Sequence, residues 1–263
     1  MSTWSSVTLS ALLQGGDKGV FTVMIHTYIG VCLILFLGSF IQGLSGFGAV
    51  LISLPLLAFF LDIKVVIPLV ALAAQSMALI QLIEMRRHFE WQAVLPLVVS
   101  ALPGVVVGVF FLKRFDKGLI HLTLGIILIV YSLYRLFCQT DIKGIKDSWA
   151  YLFGFLGGCL GGAFGASGPP IILYTSLSSW SKTKKKVTLQ GYFVLSGFVI
   201  LFAHALVGLS TVTTAKLFGV SLPMIIFGGY VGSFYFGKLP EAGYHKVMLI
   251  LLIALGIMMI LRI

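Results

Sequence analysis

Long apolar runs separated by short charged loops occur along the whole chain. They cover approximately residues 21–60, 64–84, 91–112, 118–138, 149–180, 187–207, 215–236 and 244–262. A run of about 20 apolar residues can cross the hydrocarbon core of a membrane as a helix. The strands of a membrane barrel would instead be segments of about ten residues with alternating polarity, a pattern that this chain lacks. The pattern therefore predicts an all-α polytopic membrane protein.

Two of these runs are too long for one span. As continuous helices, 21–60 and 149–180 would measure about 60 Å and 48 Å, compared with roughly 30 Å for the hydrocarbon core. Each is interrupted by glycines, with "GLSGFG" at 43–48 and "GGCLGGAFGASGPP" at 157–170. We therefore expect each long run to be broken in its middle.

The order of one long run followed by three ordinary runs occurs twice, which indicates an internal duplication. With Gly46 placed on Gly165, and five residues of extra offset later on, further glycines coincide: Gly43 with Gly162, Gly104 with Gly228 and Gly108 with Gly232. The predicted units are an N-terminal extension at 1–20, a first transmembrane repeat at 21–140 and a second at 141–263.

Two topologies fit this duplication, because each long run can form one helix or two. Trp149 and Trp180 bracket the second long run, with Lys146 before it and Lys182 after it. Tryptophan concentrates at membrane interfaces and lysine on the cytoplasmic side. Both ends of the run are then cytoplasmic. This favours two inverted repeats of five helices, each a glycine-broken helical hairpin plus three spanning helices, over a parallel four-plus-four arrangement.

A break inside the membrane can form an anion site. Non-helical backbone survives at this depth only where protein buries it or water reaches it. Where a helix restarts after the break, its first N–H groups are free and its dipole is positive, so the helix end attracts an anion. Two such ends near the midplane are typical of secondary transporters. Ser167 is the predicted N-cap of the second restart, ahead of two prolines, and Ser45 lies in the first break.

The predicted substrate site combines both breaks with polar residues of the neighbouring spans. Its members are Gln42, Ser45, Gly46, Phe47, Gly48, Gln75, Gly165, Ser167, Gly168, Gln190 and Tyr192. The alternative is that the small residues only allow helices to pack closely and that the amides only hydrogen-bond helices together. His204 is deep enough in a span to suggest proton coupling, since imidazole titrates near neutral pH.

Charge and composition define the class of ligand. Only 10% of the residues are charged, whereas a soluble domain has roughly 25%. All eight acidic residues lie in the N-terminal tail or at the ends of apolar runs, although a cation or proton pathway usually needs a carboxylate within the membrane. We therefore expect a small anion as the ligand, without a metal ion or cofactor. Lysine and arginine at loop ends account for the net charge of +10, so no nucleic-acid partner is expected.

Two motifs, "GLSGFGAVLISLPLL" and "GGAFGASGPPIILY", resemble the TauE/SafE sulfite exporter family, also called the toluene sulfonate uptake permease family. The similarity runs from about residue 25 to the C-terminus. It implies a duplicated helical architecture and transport of sulfite, sulfonates, thiosulfate or related organic anions across the bacterial cytoplasmic membrane. The family often has three glycines in a row in the break, where this chain has "GFGA" and "GASG".

We therefore expect a multi-pass secondary transporter, and not an enzyme, that exports a small sulfur-containing anion such as sulfite, sulfoacetate or another sulfonate. An anion channel, or a permease for a non-sulfur organic acid, is the alternative, since either could use the same breaks. The expected partners are the anionic substrate and the lipid bilayer, and assembly as a homodimer is left open.

Overall fold

Ten α-helices make up the part of the chain that the computed structural model describes, residues 25–137, 144–235 and 241–261. The first five helices are α1 Ile25–Ser45, α2 Ala49–Ala58, α3 Ile63–Met85, α4 Trp91–Arg114 and α5 Lys117–Phe137. The second five are α6 Trp149–Phe164, α7 Gly168–Leu177, α8 Lys182–Leu206, α9 Val212–Tyr235 and α10 Glu241–Leu261. The predicted N-terminal extension and the boundary predicted at 140–141 lie outside the described residues.

Six of the described helices are long and apolar enough to cross a membrane: α1, α3 with its 3-10 extension Arg86–His88, α4, α5, α8 and α9. Their outer surfaces carry large apolar side chains, such as Val106 and Phe110 on α4 and Phe202 on α8, which are more than half exposed. Water would not favour so much exposed apolar surface, whereas lipid does. The prediction of an all-helical, multi-pass membrane protein is confirmed.

Both long apolar runs fold into two helices with a turn between them, at residues 46–48 and 165–167. α2 returns along α1, since the Ser53 hydroxyl donates to the Ile34 carbonyl oxygen at 3.3 Å. α7 likewise lies against α6, where a Cβ on Gly157 would come within 2.9 Å of an isoleucine side chain of α7. Each long run is therefore a broken hairpin. Its length and glycines predicted the break, and the tryptophans and lysines that flank the second run favoured the hairpin.

Glycine permits both turns because the backbone enters the left-handed region there. Gly46 and Gly48 have φ angles of 81° and 110°, and Gly165 has a φ of 69°. Side chains with a Cβ rarely adopt these angles. The turns therefore depend on the glycines that interrupt the apolar pattern.

Glycines also bring helices of the two halves of the chain into close contact. Gly104 and Gly108 of α4 lie on the backbone of α6, and a Cβ on Gly108 would be 2.1 Å from a carbonyl oxygen of α6. Gly228 and Gly232 of α9 lie on α1 in the same way, and a Cβ on Gly232 would be 2.1 Å from the Phe40 carbonyl oxygen. Small residues are the usual means by which membrane helices approach so closely.

The centre of the bundle is the crossing of α3 and α8. α3 packs against α8, α2 and α9, and α8 packs against α3, α7 and α4. At the crossing, Gln75 Nε2 donates to the Val194 carbonyl oxygen at 3.1 Å, and the Gln75 side chain lies on Gly197. Because both hairpins pack against this pair, the crossing is where their turns meet.

Candidate functional site

A cavity lies between the two breaks, beside the crossing of α3 and α8, and contains about 560 Å³ of space not filled by atoms, part of it open to the outside. Seven of the predicted site residues line it: Gln42, Phe47, Gly48, Gln75, Gly165, Ser167 and Gly168. The rest of its wall is small or apolar, including Phe193 and Ile200 of α8, and no residue of the wall carries a charge. The structure therefore brings the two breaks, which are more than a hundred residues apart in sequence, to one uncharged cavity.

In the first break, the side chain of Ser45 stabilises the turn. Its hydroxyl lies 2.7 Å from the Ile41 carbonyl oxygen and also close to that of Phe47, and it can donate its single proton to either. Either bond satisfies a backbone carbonyl near the end of α1. Ser45 does not line the cavity. The sequence prediction placed this hydroxyl toward the substrate, whereas in the structure it bonds to the turn.

Gly46 is also bound from both sides by the protein. Its N–H donates to the Gln42 carbonyl oxygen at 2.7 Å, and its own carbonyl oxygen accepts from Gln190 Nε2 at 2.7 Å. Gln190 is fully buried, and its Oε1 has no hydrogen-bond partner among the described residues. Gln190 therefore contacts the first break but does not belong to the cavity wall.

The helix that restarts after the first break begins at the cavity. α2 begins at Ala49, and the first N–H bonded within it is that of Ile52, which donates to the Gly48 carbonyl oxygen at 3.2 Å. The N–H groups of the three residues from Ala49 to Leu51 have no carbonyl partner within the helix. Val50 and Leu51 line the cavity. The positive end of α2 therefore lies at the cavity wall.

The second break has fewer backbone donors. α7 begins at Gly168 and continues with Pro169 and Pro170, which have no N–H. Ser167 occupies the N-cap position as predicted, but its side chain makes no capping bond. Ser167 lines the cavity and is 7% exposed. The second break therefore has two candidate donors, the N–H of Gly168 and the hydroxyl of Ser167, whereas the first break has three N–H groups.

The amides of the neighbouring spans hold the backbone of the site together. Gln42 Nε2 lies 3.4 Å from the Ala74 carbonyl oxygen, and the Gln42 backbone carbonyl accepts from Gln81 Nε2 at 3.1 Å. Gln81, a buried amide in the same apolar run as Gln75, was not among the predicted residues. Gln81 could have been predicted from the sequence, because it is a polar residue within an apolar run.

Tyr192 and His204 lie away from the cavity wall. Tyr192 is fully buried against α6, with its hydroxyl 3.5 Å from the Gly154 carbonyl oxygen. His204 is also fully buried, and its Nε2 lies 2.9 Å from the Gly162 carbonyl oxygen. Because a carbonyl only accepts, Nε2 carries a proton, and Nδ1 has no partner among the described residues. His204 follows the wall residue Ile200 by one helical turn, within an apolar cluster.

Comparison with known proteins identifies the family. The family model described as Sulfite exporter TauE/SafE matches residues 31–259, which include both breaks and the whole cavity wall. A curated relative, the "Probable sulfite/organosulfonate exporter TauE" of Cupriavidus necator, is 25% identical over 237 residues, covering 87% of this chain and 91% of the relative. No solved structure is significantly similar. The family match and the apolar helices together identify a multi-pass protein of the bacterial inner membrane. The chain belongs to the TauE/SafE sulfite exporter family, a family of membrane transporters.

Proposed function

We propose that this protein is a secondary transporter that exports sulfite or a short organosulfonate, and that the cavity between the two breaks holds the anion. The observation that carries the proposal is that both broken hairpins open onto one cavity, with the positive end of α2 on one side and the Ser167 hydroxyl on the other. The printed name of the Cupriavidus necator relative, an exporter of sulfite or organosulfonate, supports this class of substrate.

The donors around the cavity suit the oxygens of such an anion. Sulfite and the sulfonate group each present three oxygens that accept hydrogen bonds. The first-turn N–H groups of α2, the N–H of Gly168 and the hydroxyl of Ser167 can donate to them. Phe47 and Phe193 form an apolar wall that can contact the carbon chain of an organosulfonate. Neutral donors also allow release, which a transporter needs as much as binding.

An inverted repeat is part of this proposal. The first five helices have 21, 10, 23, 24 and 21 residues, and the second five have 16, 10, 25, 24 and 21. The contacts also correspond: α4 packs on α6 as α9 packs on α1, and α2 packs on α3 as α7 packs on α8. Both patterns support two five-helix units around a pseudo-two-fold axis. Movement of one part of the bundle against another would then open the cavity to either side in turn.

Flux into proteoliposomes tests the proposal. Labelled sulfite and labelled sulfoacetate are offered to the reconstituted full chain, with and without a pH gradient. Saturable flux that related oxyanions inhibit is the expected result. A steady conductance far above transporter turnover would instead identify an anion channel. Folded protein that moves neither anion would remove the sulfur assignment.

His204 supplies a separate test of proton coupling within the same assay. If its unpartnered Nδ1 takes up the coupled proton, His204→Gln should abolish the response to the pH gradient and leave gradient-free exchange of sulfite within about twofold. Exchange of labelled for unlabelled sulfite at equal pH is the control. A variant that keeps the full gradient response would exclude His204 as the coupling group.

A further inference from the structure

Lys186, in the second turn of α8, lies against the first break although it does not line the cavity. Its Cγ and Cε lie 3.6 and 3.7 Å from the position that a Cβ would occupy on Gly46. The ammonium group is one bond beyond Cε, so it also lies beside the break. Gln190, one turn further along the same face of α8, donates to the Gly46 carbonyl. Two polar side chains of α8 therefore contact this one glycine.

The neighbouring lysines have different surroundings. Lys184 Nζ lies 2.6 Å from a Glu90 carboxylate oxygen and 5.2 Å from the centre of the Trp180 ring. Lys185 Nζ donates to the Ser176 carbonyl oxygen at the end of α7. Lys186 interacts electrostatically with Glu84, near the end of α3. Of these three lysines, Lys186 is the one that reaches the break.

The residues nearest to the glycine of the second break are apolar. There, a Cβ on Gly165 would lie 3.3 Å from the side chain of Ala71 and 3.4 Å from the Ile67 carbonyl oxygen, both in α3. At the second break, Ala71 and Ile67 of α3 thus take the places that Gln190 and Lys186 of α8 have at the first, and both are apolar. Positive charge and the positive end of α2 are therefore concentrated at the first break.

We propose that Lys186 is a specificity-determining residue, which attracts the anion to the first break from the side where α8 begins and favours doubly charged over singly charged substrates. The cavity wall has no charged side chain, so a full positive charge close to the cavity adds to the attraction of the neutral donors and of the α2 helix end. Along α8, Lys186 precedes the wall residue Phe193 by seven residues, or about 10 Å. An ammonium group at that distance raises the local concentration of anions without binding them irreversibly. This inference rests on the proposed transport of an anion.

The test compares the KM for labelled sulfite in proteoliposomes of the wild type and of Lys186→Gln. We expect the KM to rise about tenfold at low ionic strength, and the difference to shrink at high salt, because salt screens the attraction. The loss should be larger for the dianion sulfoacetate than for the monoanion methanesulfonate. Lys186→Arg should retain the wild-type KM, and Lys185→Gln, with the same change in net charge, should also retain it.

Glu84→Gln separates electrostatic attraction of the anion from a structural role of the interaction between Lys186 and Glu84. If Lys186 acts through its charge, removing the neighbouring carboxylate should lower the KM, opposite to the effect of Lys186→Gln. If the pair only holds α3 to α8, both variants should lose thermal stability and transport in the same direction, which would overturn the proposal. An unchanged KM in Lys186→Gln would also overturn it while leaving the proposed function intact. A wild type that transports no anion would overturn both.

Discussion

The two breaks share a backbone plan but differ in chemistry. Both are glycine turns between the arms of a hairpin, and both open onto the same cavity. After the first break, the N–H groups of Ala49, Val50 and Leu51 have no carbonyl partner within α2. After the second, two prolines remove most of the equivalent donors, and Ser167 lines the cavity. The first break is therefore the richer source of donors.

The residues around the two breaks also differ, and again the polar groups are at the first break. Gln190 and Lys186 contact the first break, whereas Ala71 and the backbone of Ile67 contact the second. According to our proposals, the two breaks therefore have different roles. The first would bind the negative charge of the anion, and the second would shape and position the anion. Three sets of variants test this difference between the breaks, and they are given in order of decreasing expected effect.

Alanine at the turn glycines should have the largest effect, and an unequal one. Gly48 has a φ of 110°, well outside the left-handed well near +57° that other residues can tolerate, while Gly165 has a φ of 69°. We expect Gly48→Ala to cost about 2 kcal/mol or more of stability and Gly165→Ala about 1 kcal/mol. Thermal unfolding of the purified variants measures both. Equal losses would mean that the two turns are equally constrained.

The two serines should behave in opposite ways. Ser167→Ala removes a donor that lines the cavity and should raise the KM for sulfite roughly fivefold to tenfold, with stability nearly unchanged, since about 1 kcal/mol is typical of one hydrogen bond. Ser45→Ala removes bonds within the turn and should lower thermal stability by a similar free energy, with little change in KM. Proteoliposome kinetics and thermal unfolding of both variants check the pair. If the KM rose in Ser45→Ala but not in Ser167→Ala, the substrate would instead lie at Ser45.

Restoring a backbone donor at the second break should have the smallest effect. Pro170→Ala gives α7 a further N–H in its first turn, which makes this helix end more like that of α2. We expect the KM for sulfite to fall about twofold, with a loss of stability below about 1 kcal/mol because proline is well suited to a first turn. Pro55→Ala, in the buried second half of α2, is the control for removing a proline elsewhere. An unchanged KM would mean that this helix end does not face the anion.

Much of the fold could be predicted because it depends on local patterns. Run lengths and glycines located both broken hairpins, and the glycines matched between the halves occur at corresponding helix contacts. The direction of each polar side chain could not be predicted. A serine in a break can donate either to a ligand or to the turn, and Ser45 takes the second course. Tyr192 was predicted from its polarity, but the rotation of α8 directs it toward α6.

Lys186 shows the same limit for charged residues. In the sequence it is one of several lysines in "KTKKK", and a run of charges at a loop end is usually explained by the membrane surface. Its position four residues before Gln190 puts both on one face of α8. Only the fold shows that this face lies against the first break.

The glycine contacts between α4 and α6 and between α9 and α1 have a consequence for how such a protein could arise. Each of these contacts joins a helix from one half of the chain to the hairpin of the other half. A polypeptide with only one half would leave its hairpin without the helix that covers it. If the proposed inverted repeat arose by duplication, an ancestor of half the length would have had to insert in both orientations and assemble as an antiparallel pair. Expression of the two halves as separate chains should then restore transport only when both are made together.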